Sequence, residues 1–264
     1  MTHHSSAAAT FSPSFASDAY VYDADTYWTS TEHSYPHYPT VRHRKRFILN
    51  AIRQARPQAD TTVFDYGCGE GTLLQEIQQA FRLRGDQLAG FDISAKAVAC
   101  AHHKLPDAHI YQSSFPILDR KYGIVVCSEV IEHTTEYLRI LRWIADSLQV
   151  GGRLILTTQA GRIHASDRYT GHTQHFVLSE LTGHMEDVGL RVDSAAHWGF
   201  PFFTLQKYLT NVRFDQVRAK YLDGKLTFRK KLTFQAAYWA YYLHDFITFG
   251  PQIYVIASKS GPRA

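Results

Sequence analysis

The sequence feature that most constrains the fold is a glycine-rich turn between an apolar run and an amphipathic run. The apolar run 63–66 is followed by Gly67-Cys68-Gly69-Glu70-Gly71, and a helical pattern of apolar residues begins at Thr72. Alternating glycines let the backbone turn tightly from a strand into a helix and bring a ligand close to main-chain N–H groups. Glycine turns also serve strand-to-helix packing alone. The turn therefore predicts a parallel α/β unit and leaves its ligand open.

Short apolar runs alternate with amphipathic stretches along the rest of the chain. The pattern predicts helices over 72–83, 95–104, 135–149 and 178–188, the last ended by Gly189. It predicts strands at 63–66, 87–92, 109–112, 123–128, 153–158, 190–196 and 252–259. This alternation is typical of an α/β fold, in which helices wrap a parallel sheet.

Composition divides the chain into five segments. Residues 1–17 are rich in Ser, Ala and Thr and predict a disordered leader, and 18–58 predict an aromatic cap that ends in a basic helix. A core follows over 59–198, and a final strand with a tail occupies 252–264. Between them, 199–251 hold 14 of the 36 aromatic residues. This helical insertion either roofs an apolar pocket or packs as a helical subdomain or homodimer interface.

Several classes of protein are excluded by composition. No run approaches the roughly 18 apolar residues of a membrane-spanning helix, and the N-terminus has no apolar core typical of a secretory signal. The three cysteines, Cys68, Cys100 and Cys127, lack metal-type spacing and lie in or near apolar runs, so we expect reduced core thiols. The sequence therefore predicts a cytoplasmic protein with no membrane span.

The basic residues are clustered. Lys and Arg number 28 against 24 Asp and Glu, and much of the excess lies in Arg42-His43-Arg44-Lys45-Arg46 and Arg229-Lys230-Lys231. Such clusters either bind an anionic substrate or polymer, nucleic acid included, or form solvated helix faces.

Asp92 indicates which kind of ligand the glycine turn binds. It lies 21 residues after Gly71, at the end of the next predicted strand, where a carboxylate can accept both hydroxyls of a ribose. A dinucleotide-binding fold uses an acidic residue in the same way, so these residues alone predict a nucleoside-containing cofactor.

Asp65-x-Gly67-Cys68-Gly69-x-Gly71 resembles the first motif of class I S-adenosylmethionine-dependent methyltransferases, and Asp92 matches their ribose-binding acid. The resemblance extends to the segments 128–133 and 148–154 and covers about 63–190. It implies a Rossmann-like seven-stranded sheet whose last strand is antiparallel. It also implies that S-adenosylmethionine contacts Asp65, Gly67, Cys68, Gly69, Gly71, Asp92, Ile93 and Glu129.

The sequence departs from this family pattern at two places. The loop after the third strand usually carries an Asp near the adenine, but here it reads Tyr111-Gln112-Ser113-Ser114-Phe115. The resemblance therefore assigns the adenine contact to Ser114 or Phe115. The fourth strand begins at Gly123, where the family usually has Asp. Neither departure removes the glycine turn or Asp92.

A box of acidic residues and histidine follows the fourth predicted strand. Glu129, Glu132 and His133 can converge on a hard divalent cation, and His172, in the loop after the fifth strand, offers a fourth ligand. The box resembles ubiquinone-pathway O-methyltransferases and small-RNA 3′-terminal 2′-O-methyltransferases, and in the latter such residues ligate magnesium. Acidic residues also favour a helix's first turn without any metal. In that case His133 or His172 is the candidate general base, and His175 anchors the loop.

The resemblance implies an enzyme. We expect O-methylation of a small, partly hydrophobic acceptor, since the aromatic insertion can roof an apolar pocket. The alternatives are 2′-O-methylation at an RNA 3′ terminus and N- or C-methylation of a small molecule. A cofactor-binding regulator without catalysis is disfavoured, because the glycine turn, Asp92 and the Glu-His box are all present.

Overall fold

A computed structural model describes residues 35–218 and 226–261. The predicted leader and the part of the predicted cap before residue 35 lie outside the described residues. The described chain forms one seven-stranded sheet in the order β3-β2-β1-β4-β5-β7-β6. Its strands are β1 (Val63–Tyr66), β2 (Leu88–Phe91), β3 (His109–Tyr111), β4 (Tyr122–Ser128), β5 (Leu148–Gln159), β6 (Leu190–Trp198) and β7 (Gln252–Lys259).

The pairing of the strands confirms the predicted topology. Strands β1 to β5 are parallel to one another, and β7 lies between β5 and β6 and is antiparallel to both. The fold is the α/β, Rossmann-like sheet with an antiparallel last strand that the sequence predicts.

Nine α-helices accompany the sheet in the described residues. They are α1 (Pro39–Gln54), α2 (Thr72–Phe81), α3 (Ala95–Lys104), α4 (Tyr137–Ser147), α5 (Ala165–Tyr169), α6 (Leu178–Asp187), α7 (Phe202–Val212), α8 (Phe214–Val217) and α9 (Phe228–Ala240). A 3₁₀ segment, Tyr241–Phe246, continues directly from α9.

Both faces of the sheet are covered. Val63 of β1 packs in a cluster with α1, α2 and α3, whereas its neighbour Phe64 packs on the opposite face with α4 and α6. Strands buried on both sides have no polar face, so they read as continuous apolar runs, as β4 does.

The fifth strand is longer than the sequence indicates. We predicted it from residue 153, after Gly151-Gly152, but β5 begins at Leu148, which pairs with Tyr122 of β4. The register shifts between Tyr122 and Ile124, and Gly151 has a positive φ of 76°. The two glycines therefore form an irregular stretch inside the strand and do not precede it.

The insertion before the last strand packs against the N-terminal helix. Trp198, Tyr241 and Tyr254 form a small apolar cluster, and Phe47 of α1 and Phe203 of α7 pack against it. Strands β6 and β7 thus hold both ends of the insertion beside α1.

The basic cluster of α1 is engaged within the chain. Arg42 donates to Gln235 at 2.9 Å, and its guanidinium lies 3.6 Å from the ring centroid of Tyr238. Arg46 makes two 2.7 Å hydrogen bonds to Asp245. These cations tie α1 to the insertion, so the solvated helix face that we considered from the sequence is not what this cluster forms.

Among the described residues, no helix combines the length and the apolar character needed to cross a bilayer. Cys68, Cys100 and Cys127 are all free thiols; Cys68 and Cys127 are buried as predicted, whereas Cys100 is only half-buried.

Candidate active site

A cavity of about 840 Å³ lies at the carboxyl ends of β1, β2 and β4. Gly67, Asp92 and Glu129, which follow these three strands, line its floor, and α7 and α9 contribute aromatic residues above it. Ligands of open α/β sheets bind at this edge, where loops after neighbouring strands converge.

The glycine turn has a backbone conformation that residues with side chains could not adopt without strain. Gly67, Gly69 and Gly71 have positive φ values of 87°, 53° and 79°. A Cβ atom at position 67 would lie 2.4 Å from Cγ2 of Val130. The turn therefore brings the main chain after β1 closer to β4 than any residue with a side chain would allow.

Asp92 is held by two main-chain groups. Its Oδ2 accepts the N–H of Gly69 at 2.9 Å, and its Oδ1 accepts the N–H of Ser94 at 2.9 Å. The residue is 8% exposed and lines the cavity. A carboxylate has two oxygens that can each accept more than one hydrogen bond, so a residue of this type at the cavity suits a diol.

Asp65 and Cys68 line the same part of the cavity. Burial, and then the nearby negative charge of Asp92, raise the pKa of Asp65 to about 7. Burial likewise raises the pKa of the Cys68 thiol well above its ordinary value, which makes it an unreactive neutral thiol.

The predicted cofactor contacts Ile93, Ser114 and Phe115 divide into two groups. Ile93 lines the cavity and is 55% exposed. Ser114 and Phe115 are not among the described residues that line it: the Ser114 carbonyl accepts the Tyr66 hydroxyl, and the Phe115 ring lies 4.0 Å beneath the Arg139 guanidinium. Of these three residues, the structure places only Ile93 beside Asp92 at the cavity.

Glu129 occupies the centre of a polar network. Its carboxylate accepts hydrogen bonds from Thr157 at 3.0 Å, from Gln159 at 2.8 Å and from Gln252, and it lies 3.5 Å from Arg44. Glu129 adopts an unusual φ of 57°, which costs free energy for a residue with a side chain. Four partners from α1, β5 and β7 thus fix this carboxylate in place.

The structure brings Glu132, His133 and His172 together. Each offers a ligand atom within 4.8 Å of the others. Glu132 is fully buried; its Oε2 accepts the Thr158 hydroxyl at 2.8 Å, and its Oε1 has no hydrogen-bond partner among the described residues. Burial and the charge of Glu129 raise the pKa of Glu132. The fourth predicted ligand, Glu129, is committed to the network described above.

The histidines of this region are neutral. Burial is the main cause that lowers the pKa of His133, His172 and His175, and His172 is lowered further by its two histidine neighbours. His133 and His172 line the cavity, with ring centroids 4.8 Å apart.

Hydrogen bonds fix the tautomer of His172. Nδ1 of His175 lies 3.1 Å from the Gly161 carbonyl, which can only accept, so this nitrogen carries the proton. Nε2 of His175 must then accept from Nδ1 of His172, 3.0 Å away. Nε2 of His172 is therefore left with a lone pair for a proton or a metal ion.

A buried ion pair joins the insertion to the loop after β5. Nζ of Lys207, on α7, lies 3.0 Å from Oδ1 of Asp167 and 3.2 Å from Oε1 of Gln159. Both charged side chains are 9% exposed. Through Gln159 this pair is connected to the Glu129 network.

The sequence did not indicate that Arg44, Asp167, Gln159, Lys207 and Gln252 meet around the site. Gln159 and Gln252 could have been found, because each is a polar residue next to the apolar part of its strand, at the end that faces the site. Nothing in the sequence indicates that Lys207 meets Asp167, 40 residues earlier.

The strand order, the glycine turn after β1 and the acidic residue after β2 together define a class I S-adenosylmethionine-dependent methyltransferase. The sequence model of a methyltransferase domain family matches residues 40–195, more than half of the chain. The chain belongs to this family.

Two curated relatives match parts of the chain. A trans-aconitate 2-methyltransferase of Deinococcus radiodurans is 29% identical over 136 residues, 51% of this chain and 51% of the relative. A ubiquinone biosynthesis O-methyltransferase of Serratia proteamaculans is 29% identical over 107 residues, 38% of this chain and 43% of the relative. The chain thus spans about half the length of the curated relatives it matches.

A solved structure is similar over most of the chain. It is a phosphoethanolamine N-methyltransferase 2 of Haemonchus contortus in complex with S-adenosyl-L-methionine, with a TM-score of 0.56 and 14% identity, covering 91% of this chain and 61% of that chain. At this level of identity the likeness shows the fold alone.

Proposed function

We propose that this chain transfers the methyl group of S-adenosylmethionine to a hydroxyl of a small, uncharged and largely apolar acceptor. One observation carries the proposal: a single cavity joins the glycine turn and Asp92 to an aromatic roof, and neutral His133 and His172 line the same space. Its volume of about 840 Å³ lies in the upper part of the range of small-molecule sites, which suits a cofactor together with an acceptor.

The floor of the cavity takes the cofactor. Asp92 accepts the ribose hydroxyls, and Ile93 packs against the adenine. Gly67 and Gly69 allow the main chain to approach the methionine part, where Asp65 and Cys68 also lie. The Glu129 carboxylate, fixed by its four partners, places negative charge near the cationic end of the methionine moiety.

Charge along the wall selects an uncharged acceptor. Five acidic residues line the cavity: Asp65, Glu70, Asp92, Glu129 and Asp167. The lysine and arginine that line it are already paired, Arg44 with Glu129 and Lys45 with Glu76 at 2.7 Å. A carboxylate or phosphate therefore finds no uncommitted Lys or Arg among the described lining residues, and its desolvation is not compensated.

The roof supplies the apolar contact. Phe202, Phe203, Leu209, Phe234 and Tyr241 from the insertion line the cavity. Such a wall favours an acceptor with a ring or a hydrocarbon body, of the phenol or quinol type. It also accounts for the enrichment of aromatic residues in the insertion.

His172 is the general base of the proposed reaction. The oxygen of the acceptor attacks the methyl carbon, the bond from sulfur to methyl breaks, and Nε2 of His172 takes the hydroxyl proton, which leaves S-adenosylhomocysteine and the methyl ether. His133 packs edge-on against the His172 ring and restricts its orientation. Alignment of the two reactants accounts for the remaining acceleration.

In a second version of the proposal, the site holds a divalent cation. The donor set fits one, because Glu132 has a buried oxygen without a hydrogen-bond partner beside two neutral histidines. Glu132, His133 and His172 would hold the cation, and when bound it supplies Lewis acidity that lowers the pKa of a hydroxyl. One carboxylate and two imidazoles suit zinc or manganese better than magnesium, which prefers oxygen ligands.

RNA is a weaker candidate than the sequence suggested. The basic cluster of α1 was the feature that favoured it. Arg44 and Arg46 instead pair with Glu129 and Asp245 inside the chain, whereas Arg42 donates to the neutral side chain of Gln235.

The experiment is a transfer assay with S-adenosylmethionine labelled on its methyl group. The acceptors are a hydrophobic phenol, the same phenol bearing a carboxylate, the corresponding aniline and a short RNA with a free 3′ terminus. We expect label in the neutral phenol as its methyl ether and none in the carboxylated analogue. Transfer to RNA or the aniline in preference to any phenol would contradict the proposal. His172→Gln is the matched variant, expected to bind S-adenosylhomocysteine normally and to lose transfer.

A further inference from the structure

The surface of the insertion exposes an unusual amount of apolar side chain. Twelve of the 17 large hydrophobic residues exposed in the described chain lie between Gly199 and Pro251. Exposed apolar area this concentrated marks an interaction surface rather than the scattered apolar residues of an ordinary protein exterior.

Five of these residues form one continuous stripe. Phe228 and Leu232 (81% and 62% exposed) and Trp239 (63%) lie on α9, and Leu243 (53%) and Phe246 (85%) lie on the 3₁₀ segment that follows. Their spacings of four, seven, four and three residues return to the same side of a helical segment. The opposite side of α9 carries Phe234 and Ala237, which line the cavity. We call the exposed set the outer stripe.

Positive charge accompanies the outer stripe. Helix α9 contains Arg229, Lys230 and Lys231 and no acidic residue. Arg229 and Lys231 are exposed. The described residues of the insertion include six basic residues (Lys or Arg) and only two acidic residues, both Asp. An apolar stripe flanked by basic side chains is the composition of a helix that lies in the interface of an anionic bilayer, where Trp is favoured at the headgroup level.

A basic hollow opens at the N-terminal end of the stripe. Its volume is about 300 Å³, and it is lined by His37, Arg42 and Lys231 together with Phe228, Leu232, Phe234 and Gln235. None of the described residues that line it is acidic. Burial and the charges of Lys231 and Arg42 lower the pKa of His37, as expected where cationic groups crowd one space. The hollow therefore offers a site for a phosphate headgroup next to the apolar stripe.

We infer that the outer stripe docks on an anionic phospholipid surface, with a lipid phosphate in the hollow formed by His37, Arg42 and Lys231. A second copy of the chain is a poorer occupant, because α9 has no acidic residue that could pair with the basic side chains of the partner's α9. Leu205 and Leu209 of α7 line the cavity and are also more than half exposed, so the apolar roof continues to the protein surface. Docking would let an apolar acceptor pass from the lipid to the cavity.

The test is sedimentation of the full chain with lipid vesicles, either of phosphatidylcholine alone or with added phosphatidylglycerol. We expect binding only to the anionic vesicles and its release by high salt. Trp239→Ser with Phe246→Ser should weaken binding about tenfold for each side chain removed. Arg229→Glu with Lys231→Glu should weaken it at least about fivefold per residue, the effect of one basic side chain near an anionic surface.

Matched controls separate docking from misfolding. Ile117→Ser removes an apolar side chain that is 97% exposed in the loop after β3, and Arg142→Glu reverses an exposed charge on α4. Both should bind vesicles like the wild type. Binding of S-adenosylhomocysteine by every variant serves as the measure of folding.

The inference is overturned if the wild type stays in the supernatant with anionic vesicles, or if the controls lose binding as much as the stripe variants. It is also overturned if sedimentation equilibrium finds a dimer that the stripe substitutions dissociate, because a second copy then covers the stripe. Vesicle binding is measured without methyl transfer, so the inference and the proposed function can fail separately.

Discussion

Replacement of Asp92 by Ala tests the floor of the cavity. The Asp92 carboxylate accepts the N–H groups of Gly69 and Ser94, each at 2.9 Å, in a place where the side chain is nearly excluded from solvent. The substitution therefore has two effects. It removes the acceptors for the ribose hydroxyls, and it leaves two buried main-chain donors without their partner.

The two effects have separate magnitudes. We expect cofactor affinity to fall by about 1 to 3 kcal/mol, the scale of charge-assisted hydrogen bonds, which is about 5- to 150-fold in the dissociation constant. We expect the free energy of unfolding to fall by about 1 to 3 kcal/mol, since an unsatisfied buried donor carries its desolvation penalty. Calorimetric titration with S-adenosylhomocysteine measures the first effect, and urea unfolding measures the second.

Ser94→Ala is the matched control. The Ser94 hydroxyl caps α3 by accepting the N–H of Ala97 at 3.0 Å, and Ser94 is not among the described residues that line the cavity. This variant should lose about 1 kcal/mol of stability, the cost of a helix cap, and keep its affinity. If Asp92→Ala binds S-adenosylhomocysteine as tightly as Ser94→Ala does, Asp92 does not hold the ribose and our assignment is wrong.

Three further predictions concern the rest of the site. His172→Gln should reduce the turnover number about 10²- to 10⁴-fold, the range expected for loss of a general base, and leave the affinity for S-adenosylhomocysteine unchanged. If a chelator abolishes the activity of the wild type, the version of the site that holds a divalent cation is favoured instead. Lys207→Met should cost about 3 to 5 kcal/mol of stability, because it leaves the Asp167 carboxylate buried without its cationic partner. Adding Asp167→Asn to this variant should recover much of that loss. If urea unfolding shows instead that the stability losses of the two single substitutions add in the double variant, the pairing is contradicted. Burial lowers the pKa of His43 and His244 to about 4, so the unfolded chain binds more protons at these residues below pH 6.5, and each should lower stability by roughly 1 to 2 kcal/mol between about pH 6.5 and 4. Asp65 and Glu132, whose pKa values are raised, act in the opposite direction in this window, so the effect is measured as the difference in unfolding free energy between the wild type and the double variant His43→Gln, His244→Gln. A difference that does not change with pH would refute the burial of both rings.

Local patterns predicted the core of the fold. The glycine turn after 63–66, the strand at 252–259 and the helix over 95–104 are found at the predicted places, because each depends on neighbouring residues. The length of β5 was not predictable, since its first residues pair with Tyr122, which lies 26 residues earlier than Leu148. The sequence pattern started the strand after the two glycines, and pairing with β4 extends it to residues before them.

The site was predictable where its residues follow strands. Asp92 and His133 line one cavity, and Glu132 lies beside His133, because the carboxyl ends of parallel strands meet at one edge; their roles stay predictions. The partners of Glu129 were not found, because Arg44 and Gln252 are 85 and 123 residues away along the chain. Which groups neutralise a buried carboxylate depends on tertiary packing, and a basic cluster in the sequence reads the same whether it faces solvent or the protein interior.

A crystal structure of the full chain with S-adenosylhomocysteine tests the central claim most directly. We predict one molecule in the cavity, with its ribose hydroxyls within hydrogen-bond distance of Asp92, its adenine on Ile93 and its sulfur on the side of His133 and His172. The space under the aromatic roof should stay open for the acceptor. A ligand bound elsewhere, or bound with its sulfur turned away from both histidines, would contradict the account.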